Sequence, residues 1–243
     1  MDSIDKKTQI NLVTLLAWGI FAVEIYFLGW WFAVASVIAS LIVYHLGHSI
    51  FAHRHFAHNC YKFSNGVLLF LNLCFLTLNM GSTISYAGLH MTHHKHSGDE
   101  QDPHDYLQLG IVRTFLGLWS TETFKIDKLT IRRFFKKPYA KFFHRNYFKF
   151  VITLAIIFAP VAAMTVVWKA FSVIVTHLDI GDTSLRPTKT DTSNNCWWIK
   201  AILWGDEAHS NHHRNGSADN LNFDKNWKQF DFLYYIAKGL ERV

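Results

Sequence analysis

The residues most able to do chemistry are histidines at regular spacing. Residues 90–94 read HMTHH and residues 209–213 read HSNHH; upstream lie HSIFAH at 48–53 and the overlapping HRHFAH at 53–58. In each HxxHH the imidazoles at i, i+3 and i+4 share one face of a helix, which makes a metal half-site. The chain has 15 His in 243 residues, so about 0.05 copies of HxxHH are expected by chance, and two copies are not scatter. His48 and His53 are five apart, about 140° around an α-helix. Either they serve different metals or the helix breaks between them, and spacing alone does not choose between 48–53 and 53–58.

Imidazole suits iron, zinc, copper and nickel. A structural zinc ion wants four ligands in a closed shell, whereas eight or nine histidines suit two metals with open positions. There is no HExxH, which argues against zinc peptidase chemistry. Glu24, Glu100, Glu122, Glu207 and Glu241 include no Glu-x-x-His of the kind soluble di-iron bundles use. Cys60, Cys74 and Cys196 are far apart and form neither a disulfide scaffold nor a thiolate zinc site. No glycine-rich phosphate loop is present, and no nucleic-acid partner is expected. An all-imidazole di-iron site at a membrane surface can activate dioxygen against a lipid chain entering from the bilayer.

The elements that must position these histidines read as helices in and on a membrane. Hydrophobic residues are 50%, with 21 Phe, yet mean hydropathy is only +0.09; that mixture predicts an embedded part with a polar cap. Two apolar segments, Ile10–Leu28 and Trp30–Leu46, are separated by Gly29 and contain one charge, Glu24. Each is near the ~20 residues that cross a bilayer, and Trp30 and Trp31 suit an interface. Lys6 and Lys7 precede an apolar run too long for a signal peptide, so a retained anchor is expected. Residues 66–79 are apolar but short, as in an in-plane or re-entrant segment. Residues 95–149 carry 11 Lys and Arg, which places them and the histidines on the cytoplasmic side and offers a docking surface to an acidic redox protein. Residues 150–177, with Pro160 near a turn, must cross twice to return the third box to that side. The expected fold is an all-α integral membrane protein with about four transmembrane helices (10–28, 30–48, 142–159 and 161–178). A cytoplasmic helical cap, 49–141 and 179–243, completes a single domain, with CWWIKAILW at 196–204 along the interface.

The three boxes HSIFAH, HMTHH and HSNHH resemble those of membrane fatty acid desaturases of the Δ9 acyl-CoA and acyl-lipid type. Arg54 and Phe56 after the first box, Asp102, Pro103 and His104 after the second, and Gly205, Asp206 and Glu207 before the third extend the likeness. So does the aromatic tail, over roughly residues 40–243. The resemblance selects the 48–53 register. It implies two iron ions held by His48, His53, His90, His93, His94, His209, His212 and His213, with His177 as a ninth ligand. The family has Asn where this chain has Val173 and Ser210, and His104 is the substitute for His177. His45, His55, His58, His96 and His144 are then surface or supporting residues. The implied reaction uses dioxygen and two electrons to place a cis double bond in a saturated acyl-CoA or acyl-lipid. No HPGG haem motif is present, so the electrons are expected from a separate ferredoxin or cytochrome b5. Two other readings use the same histidines: a membrane lipid or carotenoid hydroxylase or ketolase, and a non-catalytic membrane zinc-binding or transport protein. Zinc in a purified sample does not separate them, because it can replace iron.

Overall fold

A computed structural model describes residues 6–103, 110, 128–178 and 180–243. The chain begins with two long apolar helices, α1 (Lys6–Leu28) and α2 (Trp30–Tyr44), joined at Gly29. Gly29 has φ +80°, a left-handed conformation that glycine adopts without a Cβ clash. Without leaving the helical path, α2 passes into a π-helix, His45–Ala57. Then come α3 (Asn65–Thr77), α4 (Thr83–His96), α5 (Lys128–Phe134), α6 (Pro138–Arg145), α7 (Tyr147–Ile157) and α8 (Ala159–His177). The remaining elements are a 3₁₀ turn at Trp197–Ile199, α9 (Lys200–Leu203), α10 (His209–Arg214), a 3₁₀ turn at Trp227–Gln229 and α11 (Phe232–Leu240). No extended strand forms among the described residues; isolated bridges join Asn195 to Asp182 and to Ala208.

Gln9–Leu28 and Trp30–Ala57 are long and apolar enough to cross a membrane. Their outward faces carry Leu15, Tyr26, Phe27 and Trp31, all exposed, which is the composition of a surface facing lipid rather than water. The inward faces pack closely through small residues. Val13, Ala17 and Phe21 of α1 meet Val151 and Ala155 of α7 and Ala162 and Ala163 of α8, and such small side chains let helix axes approach. The chain is therefore membrane-associated.

The helix expected over 142–159 is broken, whereas that expected over 161–178 is one helix, Ala159–His177. In place of one helix over 142–159 the chain breaks at Asn146 and again at Phe158. The 11-residue α7 that remains rises about 16 Å, half of a ~30 Å hydrocarbon core. It meets α8 at a bend of 109°. Pro160, expected near a turn, lies two residues past the break at Phe158, in the first turn of α8, where its missing N–H breaks no intrahelical bond. The apolar segment expected at 66–79 is α3, capped by Ser64, whose Oγ accepts from Val67 N.

Two packing contacts hold the histidine-bearing helices. The π-helix lies against α3, and at Gly47 a Cβ would stand 2.5 Å from Phe75 N, so only glycine allows the two backbones this close. Phe51, Ile50, Leu71 and Phe75 fill that interface, and Leu233 and Ala237 of α11 close it from the cap side.

Candidate metal centre

Three segments deliver the histidines. The π-helix matters first, because its i→i+5 hydrogen bonding brings residues five apart into one row. His48, His53 and His58 form such a row, which an α-helix would scatter. At its end His58 N donates to His53 O at 3.2 Å. Ser82 starts α4, its Oγ accepting from Ser85 N, and α4 carries His90, His93 and His94. Asn195 fixes α10: its Oδ1 accepts from Ser210 N at 2.9 Å and its Nδ2 donates to Asn211 Oδ1 at 3.0 Å.

The imidazoles converge in two groups, His53, His58, His90, His94 and His212, and His93, His209 and His213. Within the first, Nε2 of His53 and His212 are 2.7 Å apart, His58 and His90 2.8 Å, His94 and His212 2.9 Å, and His94 and His90 3.0 Å. Within the second, His213 Nε2 is 3.1 Å from both His93 Nε2 and His209 Nε2. The groups adjoin, with the His94 and His213 ring centroids 4.6 Å apart.

Each HxxHH box is therefore divided between both groups rather than forming one half-site. Positions i and i+4 are 40° apart on a helix, whereas i+3 turns 60° the other way. His90 and His94 enter the first group and His93 the second; His209 and His213 enter the second and His212 the first.

Seven of the eight box histidines lie in these groups. His48 does not: its Nε2 is 2.9 Å from Tyr86 Oη and its ring stacks on Tyr44. His58, read from sequence as a surface or supporting residue, stands in its place. The repeat of five at 48, 53 and 58 is the sequence signal for this row; of the 48–53 pair that Arg54 and Phe56 select, His53 lies in the first group. Gly216 packs on this histidine so closely that a Cβ would lie 2.8 Å from its Cε1. His45 bonds Ile202 O, His55 bonds Tyr61 O, His96 pairs with Asp99, and His144 meets Ser82 Oγ; none joins either group. The side chain of His177, at the end of α8, and all of His104 lie outside the described residues.

Carboxylates back the second group. His93 Nδ1 is 2.7 Å from Asp102 Oδ1, and His213 Nδ1 is 2.7 Å from Asp191 Oδ2. A neutral imidazole whose Nδ1–H donates to a carboxylate presents a bare lone pair at Nε2. Two such lone pairs facing each other at 3.1 Å repel unless a cation lies between them. Ligands at the ~2.0–2.1 Å of a metal–imidazole bond, about 90° apart, are separated by about 2.9 Å, close to the spacings seen. The donor set thus fits metal ions. Burial pushes His94 down to about 4, and holds His58, His90 and His212 well below the usual histidine range, so these rings are neutral at pH 7.

Arg54, beside His53, ties the π-helix to the lead-in of α10 and to the start of α11. It donates to Asp231 Oδ2 at 2.7 Å and to Asp206 Oδ1 at 3.2 Å, all three side chains being buried. Asp231 also accepts from Leu221 N and Tyr234 N. On the other side, Arg133 donates to Ala57 O at 3.3 Å and Lys137 Nζ sits 4.5 Å over the Phe56 ring, so the basic α5–α6 region abuts the first group.

Residues 28–231 match the family model described as fatty acid desaturase. The chain is 26% identical to Delta-9 acyl-lipid desaturase 1 of Arabidopsis thaliana, over 87% of this chain and 74% of that one. It is 29% identical to sn-1 stearoyl-lipid 9-desaturase of Anabaena variabilis, over 85% and 82% respectively. It is also 25% identical to Hex-5-enoyl-[acyl-carrier protein] acetylenase of Moorena producens, over 88% and 77%.

Proposed function

The chain belongs to the fatty acid desaturase family, and from that premise we propose that it desaturates a saturated acyl-lipid at two iron ions held by the two histidine groups. It is an oxidoreductase, a fatty acyl desaturase. An adjacent pair of methylenes, dioxygen, two electrons and two protons give a cis alkene and two water molecules. The observation that carries the two-iron reading is the convergence of eight imidazole nitrogens, two of them backed by Asp102 and Asp191.

His53, His58, His90, His94 and His212 hold one iron; His93, His209 and His213 hold the other. His177 is the proposed ninth ligand. His48 supports the centre from behind Tyr86 instead of binding metal. Bound iron supplies the one-electron and dioxygen chemistry. The protein supplies the arrangement: Asp102 and Asp191 orient His93 and His213, and the Arg54 triad fixes the first box against the third.

The substrate class follows the names of two of the relatives, an acyl-lipid and a stearoyl-lipid desaturase, and the apolar helices give such a chain a lateral approach. We place four crossings at α1, α2, the α6–α7 segment and α8, with the cap on the cytoplasmic side. The electrons come from a separate ferredoxin or cytochrome b5, docking on the basic α5–α6 region. Expression in a host lacking this desaturation tests the reading. A new cis monoene, with iron in the purified protein, is expected. An alcohol would instead identify a hydroxylase, and zinc retained with no lipid product even when iron is supplied in excess a zinc-binding protein.

A further inference from the structure

The segment leading into the third box and the tail helix expose aromatic side chains that the metal centre does not use. Trp197, Trp198 and Trp227 are 42%, 54% and 65% exposed. Trp197 and Trp227 meet edge to face at 5.3 Å. Lysines cover them reciprocally, Lys200 Nζ lying 5.0 Å over Trp227 and Lys228 Nζ 5.5 Å over Trp197. On α11 the inner face buries Leu233 and Ala237, yet the outer face shows Phe232 and Tyr235, both exposed. A helix bathed in water carries polar residues on that face. Tryptophan beside lysine is the composition of a membrane interface, where the ring lies at headgroup level and the ammonium meets lipid phosphate.

The depth of this surface can be read from its attachment to α2. His45, fifteen residues beyond Trp30, bonds Ile202 O at 2.7 Å and stacks on Trp204 at 4.4 Å. Fifteen residues of helix rise about 22 Å. With Trp30 at one edge of a ~30 Å hydrocarbon core, the 197–204 segment is tied to the helix just inside the opposite edge. Interfacial segments bury their apolar face about 5–10 Å into that boundary.

We propose that Trp197, Trp198, Trp227 and the outer face of α11 lie in the headgroup layer of the bilayer on the metal-centre side, with Lys200 and Lys228 against anionic lipid phosphates. This rests on the membrane-spanning reading of Trp30–Ala57. The surface anchors the third histidine box to the membrane from which the acyl chain arrives.

The test uses the full chain in nanodiscs of phosphatidylcholine brominated near the headgroup, compared with Trp197→Phe/Trp227→Phe and Trp30→Phe/Trp31→Phe. The first pair removes two of nine tryptophans, and lipid-quenched emission should fall by on the order of a fifth. If only the second pair lowers it, the chain is embedded and the proposed surface is overturned. If neither pair does, the spanning reading fails and takes the proposal with it. If the indoles at 197 and 227 are shielded from both bromolipid and aqueous acrylamide only when two chains share a disc, a second copy covers them and the proposal is wrong. The charge arm uses spin-labelled phosphatidylglycerol against phosphatidylcholine. Lys200→Gln/Lys228→Gln should reduce the preference for the anionic lipid, by up to roughly fivefold per lysine at low salt. An unchanged preference overturns the role given to the lysines.

Discussion

His58 Nε2 lies 2.8 Å from His90 Nε2, joining the end of the π-helix to the first turn of the second box. This contact brings His58 to the second box, while His53 meets His212 of the third at 2.7 Å and His48 meets Tyr86 Oη at 2.9 Å. His58→Ala should therefore lose metal from the first group and abolish alkene formation. His48→Ala should keep its metal and lose at most 10–100-fold in activity, the range for residues that support a ligand. Metal content and product measured at matched expression decide it. Metal retained by His58→Ala and lost by His48→Ala would restore the 48–53 register.

Asp102 and Asp191 face the Nδ1 atoms of His93 and His213 at 2.7 Å. Their charge favours the Nδ1–H tautomer and makes Nε2 a stronger donor. Asp191→Asn should weaken metal retention 10–100-fold, read as metal left after dialysis against a graded chelator. Thermal stability of the metal-free protein should change far less. If Asp191→Asn holds metal as tightly as the native chain, the carboxylate does not tune the site.

Arg54 is fully buried between Asp206 and Asp231. Arg54→Met leaves two buried carboxylates without a cation, a change that costs about 3–5 kcal/mol. The melting temperature in detergent should fall by roughly 6–20 °C, at 2–4 °C per kcal/mol for a chain of this size. Adding Asp206→Asn and Asp231→Asn should recover part of the loss, since the stranded charges are then gone. A melting temperature unchanged in Arg54→Met would show that the triad contributes nothing to the fold.

The boxes on α4 and α10 were legible because i, i+3 and i+4 is itself a geometric statement. Their division between two groups was not, because it depends on which way each helix is rolled against its neighbours. The first box was ambiguous for a different reason. Five-residue spacing fits no α-helical face, and only the π-helix turns His48, His53 and His58 into one row. Asp191, 22 residues before His213 in an irregular loop, carries no periodic signal. The first apolar helix was readable from composition, Gln9–Leu28 against the expected 10–28, whereas the second continues through the π-helix to Ala57, beyond the expected end at 48. The break at Asn146 was not readable, since asparagine is not a strong helix breaker, whereas the turn expected near Pro160 falls at Phe158, two residues earlier.

The bend between α7 and α8 is compatible with two topologies, which differ in sidedness. If the α6–α7 segment and α8 cross as a hairpin, the basic region before it and the third box after it share one face of the membrane. If the bent pair makes one crossing, they face opposite sides. Lys137 precedes α6 and Asn215 follows α10, so they report the two ends. Lys137→Cys and Asn215→Cys, each in a Cys60→Ser background, should react with a membrane-impermeant maleimide only when the cytoplasmic face is opened. The background matters because Cys60 is half-buried rather than fully enclosed, whereas Cys74 and Cys196 are buried. The histidine groups already require His90 and His212 to meet at one site; Asn215 follows His212 by three residues, and Lys137 sits over the Phe56 ring beside the first group. Labelling of the two cysteines from opposite faces would therefore refute the four-crossing arrangement and would require the chain between them to cross an odd number of times.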